Sequence, residues 1–477
     1  MKKLWGGRFK TDLDPVAKKF SYSLAVDCEL LDAELYVTAA HVLMLAKVGI
    51  LSKREAKAIV DGLWKTKETL NKTVVQDVAQ TCEDVHTLIE MTLTQKIGSM
   101  AKKIHTARSR NDLVATSTRL YVKEKIHSIL EGINSFQSTL VAQADRYADV
   151  VIPGYTHLQR AQVVPLSHHL LAYVEMLERD KSRFLDALKR LNECPLGAGA
   201  IAGSGLPIDR TFVSKLLGFE RPTANSIDSV SDRDFVVEVT SCVAVAYMHL
   251  SRFAEDLILW NSQEFGFIEL DDRFATGSSL MPHKKNPDML ELTRGKTGEA
   301  YGNLISVLVT MKGLPLAYNR DMQQDKKPLF ASLKMFTETL DVLSGTVKTF
   351  KVDKNNCKRA CNDSFLFATD VLEYLVKKEI PFREAHELVG RLVRYASESN
   401  TTLGALTLET YKKYSEAFEK DVFDLFDPLV SVNSKVSTGS ANPELVKAEM
   451  DQWKVRLKSE KTNLKKQYHI TQEAFVL

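Results

Sequence analysis

Proline and glycine are scarce, at 13 and 22 among 477 residues, below the ~5% and ~7% of an average chain. With so few residues that break or loosen helices, the chain can sustain long ones, and disordered low-complexity or collagen-like organisation is excluded. Charge of one sign is missing too. With 64 basic against 61 acidic side chains the formal charge is +3, so no strong field marks the chain for nucleic acid or a membrane surface, and a small molecule becomes the default partner. Cysteine is sparse. Cys28, Cys82, Cys194, Cys242, Cys357 and Cys361 show neither zinc-finger spacing nor the density of a secreted scaffold, which predicts free thiols in a reducing cytoplasm. No uncharged apolar run reaches the ~20 residues that span a bilayer, and Met1–Arg8 lacks the apolar core of a signal peptide.

Strand signals are few, whereas helical periodicity is long and repeated. From Asp234 to about Phe265, residues Val236, Val239, Val243, Ala246, Leu250, Phe253, Leu257 and Trp260 recur three and four apart, a sustained heptad seam. Its flanks are also apolar, at Val237, Val245, Met248, Ile258 and Leu259, which predicts burial from several sides, as in the middle of a bundle. Further helices are read over 115–147, 166–192, 290–311 and 329–350, with prolines at the junctions where helices stop or start. The expected fold is all-α, in three segments: an N-terminal helical domain over 1–105, a central long-helix bundle over 106–356, and a C-terminal helical domain over 357–477. The basic run Lys454, Arg456, Lys458, Lys461, Lys465, Lys466 reads as the solvated face of a last helix.

Four polar stretches interrupt the helices. Gly277–Pro287 (GSSLMPHKKNP) packs hydroxyls, an imidazole, two amines and an amide into a loop forced by glycine and two prolines. Lysine charge and loop N–H groups suit an anion there, although a polar turn has the same composition. His105–Asp112 (HTARSRND) offers the forked donors of Arg108 and Arg110, while Asp112 is suited to cap the following helix. Pro153–Gln162 (PGYTHLQRAQ) sets His157 just before another helix, as an acid or base or as a packing residue. Gly313–Lys326 (GLPLAYNRDMQQDK) carries Tyr318, Gln323 and Lys326, with Arg320 and Asp321 able simply to pair with each other. Two patterns are decoys. Gly197–Ala202 matches a dinucleotide G-x-G-x-x-A but follows a helix instead of a strand, so a nicotinamide cofactor is rejected. His168 and His169 are adjacent, hence on different helix faces, and predict no metal.

GSSLMPHKKNP resembles the signature G-S-S-x-M-P-x-K-x-N-P of the fumarase and aspartase superfamily. Within it the chain is similar to the argininosuccinate lyase family through LWGGRF (4–9), EDVH (83–86), HTARSRND, PGYTHLQRAQ, SVSDRD (229–234), GLPLAYNRDMQQDK and PFREAH (381–386), which together cover nearly the whole chain. The resemblance implies a cofactor-free homotetramer whose helices merge into one bundle, with active sites shared between chains, and cleavage of argininosuccinate to arginine and fumarate. By motif position it makes Ser278 the base, Lys284 and Asn286 the holders of the carboxylate beside the deprotonated carbon, and His157 with Glu291 the helpers of the leaving guanidinium. Ser23, Asp27, Arg110, Asn111, Thr156, Tyr318, Gln323 and Lys326 match its substrate-binding positions. The chemistry agrees: deprotonation beside a carboxylate builds a doubly negative aci-carboxylate that needs concentrated cations and donors, and a serine base needs N–H donors and exclusion of water. The sequence departs from the family at His283 (a glutamine there), Ala107 and Leu113 (glycine and glutamine), Val163 (proline) and Gln324 (glutamate). Rival expectations are a same-fold lyase for another N-substituted aspartate and a catalytically silent, crystallin-like oligomer.

Overall fold

Helices begin where the sequence supplies caps. The computed structural model describes residues 8, 10–70, 75, 78, 82–465 and 471–475; of the LWGGRF motif only Arg8 falls among them, and Lys466 lies outside them. The N-terminal part is built on α1 (Leu31–Lys47), α2 (Lys53–Thr69) and α3 (Val85–Ile97). Helix α2 opens with a reciprocal capping box, in which Glu55 N–H donates to Ser52 Oγ and Ser52 N–H to Glu55 Oε2. Five long helices follow: α4 (Arg110–Arg146), α5 (Leu166–Leu191), α6 (Asp234–Asn261), α7 (Asp288–Met311) and α8 (Lys326–Thr349). With 37 residues, α4 is a rod of ~55 Å at ~1.5 Å per residue. Beyond them lie α9 (Ala368–Lys377), α10 (Phe382–Glu398) and α11 (Pro443–Lys465).

The five long helices pack as one bundle, α4 against α5 and α8, and α6 against α5, α7 and α8. All eight seam residues of α6, from Val236 to Trp260, are buried, whereas the flanking Met248 is 36% exposed and Val237 and Val245 only half-buried. By length and composition α6 passes for a membrane span, but it is a core helix surrounded by its neighbours. One hydrophobic core joins the N-terminal helices, the bundle and α11, which returns along α4 and α5. A second, separate core runs from Val371 to Val422. The six cysteines are buried and form no disulfide among the described residues. The fold is all-α, and among the described residues the strands form only short antiparallel or parallel pairs; the longest joins β1 (Val151–Thr156) to β2 (Gln159–Pro165) between α4 and α5, and another joins β3 (Thr276–Gly277) to β4 (Lys285–Asn286) ahead of α7.

Candidate active site

The first wall of the site is the start of α4. Ser109 caps it, its Oγ accepting from Asn111 N–H at 3.2 Å, and Ser109 N–H donates to Asp112 Oδ1 at 3.0 Å. Asp112 is fully buried, and its Oδ2 accepts the N–H groups of Gly197 and Gly199, each at 2.9 Å. Both glycines have positive φ, and a Cβ at Gly199 would stand 2.6 Å from Gly203 O. The glycine-rich stretch thus cradles the chain's own carboxylate, not a pyrophosphate. Burial pushes the Asp112 carboxyl up to about 6 against the pull of those donors. Fixed in this way, Arg110 and Asn111 project from the first turn of α4.

Arg110 meets the acidic residues that start α3. Its Nη1 lies 2.9 Å from Asp84 Oδ2 and 3.6 Å from Glu83 Oε2, and its Nη2 donates to Thr87 Oγ1 at 2.7 Å. Asp84 caps α3 by accepting from Thr87 N–H at 2.8 Å. Ser23, whose N–H donates to Glu83 O at 2.9 Å, gives its hydroxyl hydrogen to Asp27 Oδ2. Burial raises the Asp27 carboxyl, opposed by Lys326 and Ser23. His86 Nδ1 lies 3.1 Å from Glu34 Oε2 beneath the same wall, and both are buried. Burial works against charge on either, yet each favours the other's ionised form: Glu34 falls to about 2 and His86 rises. The segment before α8 closes the far side. Arg320 Nη2 donates to Ser21 O at 2.9 Å and lies 3.3 Å from Glu83 Oε1, and Gln323 Nε2 donates to Ser21 O at 3.3 Å.

These elements enclose a cavity of about 170 Å³ that brings together Ser23, Asp27, Arg110, Asn111, Tyr318, Gln323 and Lys326 with Glu83, Asp84, His86, Val114 and Arg320. The last five were not assigned from the sequence. EDVH stood out as a motif, and its acidic pair two dozen residues before an arginine-rich helix start is the signal that could have found Glu83 and Asp84. Arg320 pairs with Glu83 and Gln323, not with its neighbour Asp321.

Thr156, His157, Ser278, Lys284, Asn286 and Glu291 line no part of that cavity. Thr156 pairs with Gln159 across a two-residue turn whose members, His157 and Leu158, both have left-handed φ, 55° and 57°. Such a turn matches the twist of a hairpin but disfavours side chains with a Cβ, so the exposed imidazole is held at some cost in strain. Ser278 stands at the mouth of the β3–β4 hairpin, its Oγ accepting N–H bonds from Leu280 at 3.3 Å and Met281 at 3.0 Å. Lys285 anchors the hairpin base to Glu269 at 3.1 Å and Asp272 at 2.6 Å. Lys284 is exposed on the loop, Asn286 is half-buried in β4, and Glu291 is exposed on the first turn of α7.

A bundle of long helices whose junctions carry arginines, lysines, a paired-donor serine and an exposed histidine is the architecture of the superfamily lyases. The lyase family model matches residues 7–302. A class II fumarase from Schistosoma mansoni shares the fold at a TM-score of 0.70 and 16% identity over 86% of this chain and 91% of that one. The argininosuccinate lyase C-terminal family model matches residues 365–433. An argininosuccinate lyase of Caldanaerobacter subterraneus subsp. tengcongensis is 49% identical over 92% of this chain and 99% of its own length. One of Geobacillus thermodenitrificans is 48% identical over 96% and 99%. The chain therefore belongs to the argininosuccinate lyase family. An EDDS lyase variant with bound fumarate superposes at a TM-score of 0.83, with 28% identity over 98% of this chain and 94% of that one.

Proposed function

We propose that this protein cleaves argininosuccinate to arginine and fumarate in the cytoplasm, without a cofactor. The observation that carries the reading is the cavity itself, which gathers Ser23, Asp27, Arg110, Asn111, Tyr318, Gln323 and Lys326 from three separate stretches of chain. In the reaction, Ser278 takes a proton from the carbon beside a substrate carboxylate, and Lys284, Asn286 and Thr156 bear the charge of the resulting aci-carboxylate. Its collapse breaks the C–N bond, and His157, held by Glu291, gives a proton to the departing guanidine. The paired N–H donors on Ser278 Oγ support that role, since they favour an alkoxide.

The assembly is a homotetramer whose sites draw on more than one chain. Helix α7 supports this with an outward apolar stripe: Leu292, Tyr301, Ile305, Leu308 and Val309 are 55%, 42%, 59%, 47% and 64% exposed. Such a stripe is covered by subunit contact in a soluble oligomer. The separation of the cavity from the His157 turn and the Ser278 loop within one chain supports it as well. A second reading, a lyase for another N-substituted aspartate, is favoured by the likeness to the EDDS lyase with bound fumarate, because the fumarate-forming half of a site can be shared while the amine pocket varies. Purified protein offered argininosuccinate should produce fumarate, followed by its ultraviolet absorbance, faster than with other N-substituted aspartates. Preference for one of those would favour the second reading, and no turnover of any would leave a silent oligomer.

A further inference from the structure

The SVSDRD stretch has no part in that chemistry, yet it holds the largest fully buried side chain of the described residues, Arg233. Arg233 precedes α6, and its Nε lies 2.6 Å from Asp325 Oδ2, with both side chains wholly excluded from solvent. The other oxygen, Asp325 Oδ1, lies 2.9 Å from Lys326 Nζ, itself 4% exposed and lining the cavity. Arg233 Nη1 donates to Asp232 O at 2.7 Å, while Nη2 is buried with no hydrogen-bond partner among the described residues. One carboxylate is thus shared between a cation that never meets solvent and a cation that faces the substrate.

As a stabilising device this arrangement is poor. Desolvating an ion pair generally costs as much as the attraction returns, and well-packed apolar residues serve stability as well or better. An orphaned guanidinium N–H adds to the cost. The arrangement makes sense as a mount. Without Asp325, Lys326 is a buried ammonium beside Arg110 and Arg320 with the Asp27 carboxylate still acting on it; without Arg233, the Asp325 carboxylate is free to swing fully onto Lys326 and neutralise it. With both present, the three groups keep one net positive charge, and Lys326 keeps its remaining donors for the cavity.

We propose that Arg233 and Asp325 are positioning residues for Lys326, holding its ammonium aimed so that it binds a substrate carboxylate; this rests on the reading of the cavity as the argininosuccinate site. Arg119 supplies the control, since it pairs with Asp232 one residue away, is also buried, and does not touch Lys326. In the intact oligomer, Asp325→Asn should raise KM for argininosuccinate about tenfold or more with kcat held within about threefold, because ground-state binding is what Lys326 provides. Arg233→Lys, which keeps the charge but not the Nε contact, should give an intermediate KM. Arg119→Lys should lower Tm and leave KM at the wild-type value. Wild-type KM in Asp325→Asn, or in Arg233→Lys should the former not fold, overturns the proposal. So does a KM rise of the same size in Arg119→Lys, which would mean general loosening of the bundle end. A wild-type protein that releases no fumarate overturns the substrate reading instead.

Discussion

Replacing Ser278 by alanine probes how a serine can act as a base at all. Taking a proton from a water-like hydroxyl at neutral pH costs about 12 kcal/mol. The N–H groups of Leu280 and Met281 already point at Ser278 Oγ, and a bond to a charged acceptor contributes about 1.5–3 kcal/mol against ~0.5–1.5 for a neutral one. Ionisation therefore gains roughly 2–3 kcal/mol from the pair, far short of the need. A cation such as Lys284, once brought to about 4 Å, adds only ~1 kcal/mol in water but ~4 kcal/mol at an effective dielectric of 20, so closure of the loop over substrate decides the outcome. The remaining ~5–6 kcal/mol fits within the barrier of an enzyme turning over at ordinary rates. Ser278→Ala should then lower kcat by about 10³-fold, the scale of a lost base, while KM moves less than about threefold. Its melting temperature should stay within about 1 °C, since the half-buried hydroxyl fills no core volume. Steady-state fumarate release and thermal melts followed by circular dichroism supply both numbers. A kcat within tenfold of wild type would refute the serine base and turn attention to His157.

Three further outcomes are expected. His157→Ala and Ser278→Ala oligomers should each be nearly inactive, yet regain part of the activity when refolded together; full chain exchange by native mass spectrometry with no recovered activity would mean that both residues serve the same site from one chain. Asp112→Ala leaves three backbone N–H groups without an acceptor and should cost ~3–6 kcal/mol in denaturant unfolding, so a loss below ~1 kcal/mol would show that the loop rearranges freely. His86 has a raised pKa in the fold because Glu34, Asp84 and Asp27 outweigh its burial. Its charged form therefore stabilises fully below about 6.5 and fades as pH rises through the folded value. The melting-temperature gap between wild type and His86→Gln should accordingly be wider near about pH 6 than near about pH 9, and an equal gap would refute the assignment.

The long helices were legible because period and burial coincide, as the eight-residue seam of α6 shows. Their ends were less so. Helix α4 starts at Arg110, not Ala115, because Ser109 and Asp112 cap it, and α8 starts at Lys326, not Leu329, because Pro328 is tolerated in a first turn. The β1–β2 hairpin carries no strand signal in the sequence: Pro153 and Gly154 sit inside a strand, and its turn is His157–Leu158 in place of the Asn-Gly type that announces such turns. Of the site, the motifs were legible but not every member's place: Glu83, Asp84 and Arg320 lie inside EDVH and GLPLAYNRDMQQDK, yet an acidic pair and a loop arginine look alike on any surface until a fold sets Glu83 and Asp84 against Arg110 and Arg320 against Glu83. Asp325 also lies inside a motif, but only tertiary packing reveals that its two oxygens face different cations.

The carboxylate of Asp112 joins two parts of the chain that are 85 residues apart, and Asn111 Nδ2 reaches the same loop at Ala200 O, 3.2 Å away. During synthesis from the N-terminus, the start of α4 emerges long before its anchors do. Until Gly197 and Gly199 leave the ribosome, a carboxylate destined for complete burial has only the local Ser109 N–H as donor, and the turn that presents Arg110 and Asn111 is not yet anchored to the loop. The timetable of site formation is thus set by a glycine loop that lines no part of the cavity. A small deletion in that loop should read, in an assay, like a lesion at Arg110.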